Sequence, residues 1–208
     1  MAEHDIRMKL LLLCAGLFAE PEAGHLEHVL RSLAAELGQI DGPWQEGVRA
    51  LPFPEGGRET AQLALEYNRL FVLAKGHVPV QPYGGYWLDG KSTLYGPSLR
   101  TVERIMAAEG LEPARDSGLA PDHVVCELEL MAHLASQGGE KAPLEKTLLF
   151  NHLARWIPDF CRAVMENTRE EFYCAAAKLL EETVARDEAR LAALMGRAAG
   201  DADEEEQT

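Results

Sequence analysis

Apolar residues recur every three or four positions along most of the chain, which is the spacing of one face of an α-helix. The clearest case runs from Glu59 to Ala74, with apolar positions at Leu63, Tyr67, Leu70 and Phe71. Alternating apolar and polar residues, which would indicate β-strands, are almost absent. The pattern predicts an all-α fold. We expect a single-domain multi-helix bundle, since 208 residues suit one domain.

Proline, glycine and capping residues predict where these helices begin and end. We expect helices over residues 4–19, from His25 to Leu37, in a short segment from Trp44 to Leu51, from the capping residue Ser98 to Gly110, from Pro121 with Asp122 in its first turn, from Pro143 to Trp156 with Pro158 interrupting it, and from a capping box at 168–171 to about Met195. The acidic end is expected to be disordered. The predicted organisation is a helical domain over 1–199 and a tail over 200–208.

Residues 77–98 are a long stretch without helical periodicity. Pro79, Pro82, Pro97 and several glycines lie in it, so no regular element is expected there. A loop of this length in a compact domain is more often functional than not.

Charge and hydropathy exclude several classes of partner. Twenty Lys and Arg against 34 Asp and Glu give a net charge of -14, which disfavours nucleic acid and anionic membranes and favours a basic partner. The apolar run 10–18 is too short to cross a bilayer, which needs about 20 apolar residues, and its flanks do not match a signal peptide. We expect a buried first helix and a cytoplasmic protein without stable membrane insertion.

Candidate chemistry is sparse in this sequence. The four cysteines, Cys14, Cys126, Cys161 and Cys174, are scattered and are predicted to be buried, reduced thiols. Glu22 and His25 have the E-x-x-H spacing of di-iron bundles, but the second pair that such a site needs is missing. No metal site and no nucleophilic catalysis are therefore expected.

Residues Gly85 to Ser92 match the letters of a phosphate-binding loop, G-x-x-x-x-G-K-[ST]. That loop needs a hydrophobic strand before it and a helix after it, whereas here Pro82 precedes it and Pro97 follows. A nucleotide hydrolase using Lys91 and Ser92 is kept as the alternative from a different functional class.

Two further features can each be interpreted in two ways from the residues alone. Asp122 and His123 are either a helix cap with a surface imidazole or part of a polar site. Tyr67, Leu70 and Phe71 belong either to the core or to a groove.

Three segments taken together resemble the TorD/DmsD family of cytoplasmic chaperones, which assist assembly of molybdenum-containing oxidoreductases. They are Glu66 to Phe71, Pro82 to Trp87, and Pro121-Asp122-His123 with Glu127 to Met131. The run from His152 to Phe160 is also similar. Gly85 is a departure, because the family usually has Ser at that position.

The resemblance implies a protein that is not an enzyme but binds the twin-arginine signal peptide of an apo molybdenum oxidoreductase and holds it until the cofactor is inserted. It implies no cofactor of its own, leaves weak guanine-nucleotide binding open, and fits a monomer or a domain-swapped dimer. A nitrate-reductase-type assembly factor is the related alternative. The matched segments predict a peptide site formed by Glu66, Tyr67, Leu70, Phe71, Pro82, Tyr83, Trp87, Asp122, His123 and Glu127.

Overall fold

The computed structural model describes residues 2–22, 24–72, 78–90, 96–113, 118–137 and 142–205, and these ranges contain helices and no strand. The all-α prediction is confirmed. The α-helices are α1 (Glu3–Leu17), α2 (Arg31–Gly38), α3 (Gln45–Arg49), α4 (Gly57–Tyr67), α5 (Gly84–Leu88), α6 (Pro97–Ala108), α7 (Val124–Gln137), α8 (Ala142–Leu148), α9 (Ala154–Asn167) and α10 (Glu171–Glu205).

Several helices are joined to π-helical turns, in which the backbone bonds skip one residue more than in an α-helix. His25–Leu30 leads into α2, Asn68–Val72 continues α4, and Leu149–Leu153 joins α8 to α9. Such turns are frequent at functional sites, and the last two both adjoin the site described below.

The core lies where α1, the end of α4, α9 and α10 meet. Phe160 is fully buried and packs against Phe18, with ring centroids 5.3 Å apart, and against Trp156 at 5.4 Å. Phe71 stacks on Phe160 at 6.1 Å and meets Tyr173 edge-on at 5.8 Å. Truncating a core aromatic residue typically costs about 3–5 kcal/mol, so this cluster is a main source of stability.

A buried ion network joins α1, α8 and α10. The guanidinium of Arg7 donates to both carboxylate oxygens of Asp187, at 2.5 and 2.7 Å. Arg7 also contacts Glu145, which accepts a further bond of 2.8 Å from Arg190. The network balances two cations with two carboxylates.

All four cysteines lie in helices. The prediction that they are buried is confirmed for Cys14, Cys126 and Cys161, but Cys174 is half-buried. Burial raises the pKa of both Cys14 and Cys126 to about 12, which keeps these thiols protonated and unreactive at neutral pH.

The prediction that residues 77–98 hold no regular element is wrong. Helix α5 lies inside this stretch, and its first amides are held by partners from elsewhere in the chain. Ser98 does not cap α6 with its side chain. Asp89 does so instead, accepting the Ser98 N–H at 2.9 Å and the Ser98 hydroxyl at 2.8 Å.

Two other predicted helix boundaries also differ. Helix α7 begins at Val124, so Asp122 lies in the turn before the helix and not in its first turn. Pro158 does not interrupt α9 but lies within it. Ala154 lies four residues before the proline, where proline clashes with the carbonyl of a regular helix, and its ψ of -17° departs from the usual value of about -42°.

The start and end of α10 differ from the sequence pattern as well. The Thr168 hydroxyl accepts the Glu170 N–H at 3.1 Å, but the carboxylate that accepts the Arg169 N–H, at 2.7 Å, is Glu66 of α4. The helix continues to Glu205, so residues 200–205 of the predicted tail are helical, and 206–208 lie outside the described residues. Alanine and glutamate are strong helix formers, which favours this continuation despite the like charges.

Candidate functional site

Residues 80–89, here called the strap, contain α5, which packs against α6, α9 and the π-helical turn Leu149–Leu153. Their backbone pairs with the turn before α7, where Tyr83 and His123 form an antiparallel bridge. Gly84 donates its N–H to the Asp122 carbonyl at 2.8 Å, and Val124 donates to the Pro82 carbonyl at 2.8 Å. Two of the three segments used for the family resemblance therefore contact each other directly.

Both ends of the strap are also attached. At its start, the Val80 N–H donates to the carbonyl of Leu70 at 3.0 Å. At its end, the Asp89 carboxylate holds the first turn of α6 through Ser98. The strap thus has fixed positions at its start, middle and end.

The Asp122 carboxylate is committed to the strap, because its Oδ2 accepts the Gly85 N–H at 3.0 Å. Asp122 is only 4% exposed. Burial raises the pKa of Asp122, while the backbone hydrogen bond from Gly85 opposes this. An arginine that pairs with Asp122 would have to reach a carboxylate that is almost fully buried.

His123 is not a surface imidazole, since it is only 2% exposed. Its Nδ1 accepts the Val125 N–H at 3.2 Å, and its ring meets Tyr83 edge-on at 5.1 Å. Burial lowers the pKa of His123 to about 4. The ring is therefore neutral at physiological pH, with its proton on Nε2.

Beneath the strap lies a fully buried polar group from three helices. Oε2 of Glu127 accepts bonds from His152 Nδ1 at 2.8 Å and from Trp156 Nε1 at 3.2 Å. The other ring nitrogen of His152 is 3.2 Å from the Ser98 carbonyl. Both neighbours of the imidazole are acceptors, and only the protonated ring donates to both.

The charge state of this group follows from its neighbours. Burial opposes a charge on His152, but the hydrogen bond and charge of Glu127, helped by the Ser98 carbonyl, raise the pKa of His152. Burial likewise raises the pKa of Glu127, whereas the donors His152 and Trp156 favour its carboxylate form. We assign a buried imidazolium and carboxylate pair that links α6, α7 and α9.

Gly84 lies directly above this group. A Cβ at Gly84 would be 2.6 Å from Glu127 Oε1, 2.8 Å from His152 Cε1 and 3.1 Å from Trp156 Nε1. Glu127 is 0% exposed, and its Oε1 has no hydrogen-bond partner among the described residues. The strap and the buried group therefore fit with no room for a side chain between them.

The predicted apolar residues of the peptide site are core residues. Tyr67, Leu70 and Phe71 are 7%, 0% and 6% exposed, respectively. Phe71 belongs to the aromatic cluster around Phe160, and Leu70 supports the start of the strap through its carbonyl. These side chains are therefore buried in the core and do not line an open groove.

Glu66 lies in a different set of contacts. Its carboxylate binds Arg69 through two hydrogen bonds of 2.7 and 2.8 Å and holds the start of α10 through Thr168 and Arg169. Burial opposes ionisation, but the Arg69 and Arg169 bonds hold the pKa of Glu66 below its usual value. We interpret Glu66 as a structural anchor.

Tyr83 and Trp87 keep part of their surface exposed on the strap, whereas Pro82 is buried. The Trp87 indole N–H donates to the Gln81 carbonyl at 2.9 Å, and its ring meets Tyr86 edge-on at 5.2 Å. Of the predicted site residues, these two aromatic side chains are therefore the ones that offer a contact surface.

His152 and Trp156 were not predicted as site residues. The available signal was a histidine on the buried stripe of an apolar helix, among Leu148, Leu149 and Leu153. A buried imidazole needs a polar partner, but the sequence does not show that this partner is Glu127.

Other sequence candidates remain outside this site. Lys91 and Ser92 lie outside the described residues. Within the described ranges, no group of three or more His, Cys, Asp or Glu side chains is arranged to hold a metal ion. None of the helices in those ranges is both long enough and apolar enough to span a membrane.

Comparison with known proteins gives consistent matches. Residues 25–162 match the model of the nitrate reductase delta subunit family. The Tat proofreading chaperone DmsD of Salmonella paratyphi A is 30% identical over 192 residues, which cover 92% of this chain and 93% of that protein. The chaperone protein TorD of a Psychrobacter species is 27% identical over 150 residues, covering 68% of this chain and 66% of the relative.

A solved structure shares the fold. It is described as a redox enzyme maturation protein from Archaeoglobus fulgidus, and it superposes with a TM-score of 0.62 at 21% identity, covering 86% of this chain and 93% of that one. The family match over residues 25–162 and the alignment with DmsD over 92% of this chain show that the chain belongs to the nitrate reductase delta subunit family, alongside the TorD and DmsD chaperones.

Proposed function

We propose that this chain is a chaperone that binds the twin-arginine signal peptide of an apo molybdenum-containing oxidoreductase and holds it until the cofactor is inserted. The observation that carries the proposal is the alignment with a Tat proofreading chaperone over 92% of this chain. In this proposal the protein acts in the cytoplasm, and it acts by binding its client and not by catalysis.

The physical chemistry of the chain supports a cationic, partly apolar ligand. The net charge of -14 attracts a peptide with adjacent arginines. Tyr83 and Trp87 expose aromatic surface on the strap, and aromatic side chains are frequent energetic centres of peptide interfaces. We propose the exposed face of the strap as the surface that the apolar part of the signal peptide contacts.

Titration calorimetry tests this function directly. A peptide with a twin-arginine motif and an apolar segment should bind, and its affinity should fall as ionic strength rises. A matched twin-lysine peptide should bind at least about tenfold more weakly, because lysine lacks the planar, bidentate hydrogen-bonding group. Absence of binding at low salt would refute the proposal.

A second candidate follows from the family description. A nitrate-reductase-type assembly factor would bind the N-terminal tail of its client without exporting it. The description of the family matched over residues 25–162 is the observation behind this alternative, and the alignment with DmsD over 92% of the chain favours the first candidate. A pull-down from the native host with mass spectrometry identifies the client. A twin-arginine precursor supports the first candidate, and a client without that motif supports the second.

The hydrolase alternative has a separate test. Magnesium-dependent nucleotide turnover that is abolished by Lys91→Ala would contradict the chaperone proposal.

A further inference from the structure

We infer that Gly84 and Glu127 form a positioning contact that fixes the strap on the helical body, and that this contact sets peptide affinity through Tyr83 and Trp87 without touching the peptide. The inference rests on the proposed function only for its binding readout. The position of the strap itself is measurable in the protein alone.

The first argument is steric. The three atoms closest to a Cβ at Gly84, at 2.6, 2.8 and 3.1 Å, belong to side chains that are buried and bonded to one another. Two of them are ring atoms, and the third, Oε1 of Glu127, belongs to a carboxylate whose other oxygen is bonded to both rings, so none can move aside at low cost. The φ angle of Gly84 is not positive. An alanine can therefore adopt the backbone conformation at this position, and only the lack of room for its Cβ opposes the substitution.

The second argument comes from the unpartnered oxygen. A fully buried carboxylate oxygen without a donor is costly, and at Glu127 Oε1 it is retained directly beneath Gly84. Glu127 is 0% exposed, and Gly84 lies so close to Oε1 that an added Cβ would be 2.6 Å from it. The bonds of Oε2 to His152 and Trp156 explain the position of Oε1, because they orient the carboxylate so that Oε1 packs against Gly84.

The third argument is the way in which the strap is held. Gly84 and Gly85 donate to Asp122, and Pro82 accepts from Val124. These bonds form only when the strap lies close to the turn before α7, so a side chain at Gly84 that lifts the strap weakens them together. The aromatic side chains of Tyr83 and Trp87 then lose their fixed orientation, which raises the entropic cost of binding.

Gly84→Ala is the test variant, and Gly57→Ala is its matched control, because a Cβ at Gly57 meets nothing within 4 Å. Hydrogen exchange with mass spectrometry on the free proteins should show exchange at residues 80–89 accelerated by at least about tenfold in Gly84→Ala, with α9 and α10 unchanged. The same variant should bind the twin-arginine peptide at least about tenfold more weakly. Gly57→Ala should match the parent in both measurements.

Glu127→Gln separates positioning from direct contact. Glutamine keeps the shape of the carboxylate but removes the charge that balances the His152 imidazolium, so exchange at residues 80–89 should accelerate and peptide affinity should fall together. Loss of affinity with strap protection intact would mean that the carboxylate contacts the peptide, and the inference would be wrong.

Two further outcomes overturn the inference. One is unchanged strap exchange in Gly84→Ala, and the other is accelerated exchange across the whole chain with a lowered melting temperature, which indicates general destabilisation. If the parent chain binds no peptide, the proposed function fails, while the exchange measurement still decides whether Gly84 positions the strap.

Discussion

Removing Arg7 should destabilise the fold strongly, because it leaves carboxylates without their cation inside the protein. Arg7, Asp187 and Glu145 have side chains that are only 9%, 6% and 6% exposed. In Arg7→Met, Asp187 loses two hydrogen bonds and Glu145 keeps only Arg190. Breaking a buried pair on one side costs about 3–5 kcal/mol, which lowers the melting temperature of a chain of this size by roughly 10 °C.

Thermal and urea unfolding of three variants tests this reasoning. In the double variant Arg7→Met, Asp187→Leu, the unpaired charge is removed, and at least half of the lost stability should return. Arg162→Met is the control, since Arg162 and Asp159 form a pair whose side chains are 63% and 53% exposed, and such pairs contribute about 0–1 kcal/mol. The reasoning is refuted if Arg7→Met melts within about 2 °C of the parent or if the double variant is as unstable as the single.

Three further measurements address residues of the candidate site and the thiols. Glu66→Gln should lower the free energy of unfolding by about 2 kcal/mol, since it weakens charge-assisted bonds, and should leave peptide affinity unchanged. Unchanged stability with weaker peptide binding would instead place Glu66 in the peptide site. Because the pKa of His123 is lowered from 6.5 to about 4, its contribution to stability is present above pH 6.5 and is lost as the pH falls towards 4. Unfolding across this range should show a loss of about 3 kcal/mol that is missing in His123→Asn. A thiol reagent should label Cys174 in the native protein and all four cysteines in denaturant; fewer than four in denaturant would indicate a disulfide.

The helices were predictable because a buried stripe is set by side chains three and four residues apart, as in Leu63, Tyr67 and Leu70 of α4 and its π-helical turn. The partners of the helix ends were not. The Arg169 amide binds a carboxylate 103 residues earlier in the chain, at Glu66. No local pattern reports a contact of that kind, since it exists only after the chain has folded.

The sequence predicted which segments come together better than it predicted how exposed their residues are. The matched segments placed Tyr83 and His123 in one predicted site, and these two residues form a backbone bridge. The helix-start signal at Pro121 placed Asp122 in the first turn of a helix, whereas Asp122 lies before that helix and is buried, with a hydrogen bond to the strap. His152 was missed because its role depends on Glu127, which belongs to another helix.

The π-helical turn Leu149–Leu153 determines the direction in which the buried side chains before and after it point. From α8 to the end of α9 the buried positions recur every four residues, at Leu148, Leu149, His152, Leu153, Trp156, Ile157, Phe160, Cys161 and Val164. In an α-helix of 3.6 residues per turn a stripe with that spacing drifts by about 40° per repeat, or about 160° over four repeats. The extra residue of the π-helical turn cancels about 100° of this rotation. If these residues formed a regular α-helix with none of them removed, the full drift would return and part of the stripe would turn towards water. The π-helical bonding of Leu149–Leu153, more than the identity of its residues, therefore keeps His152 and Trp156 directed at the same carboxylate.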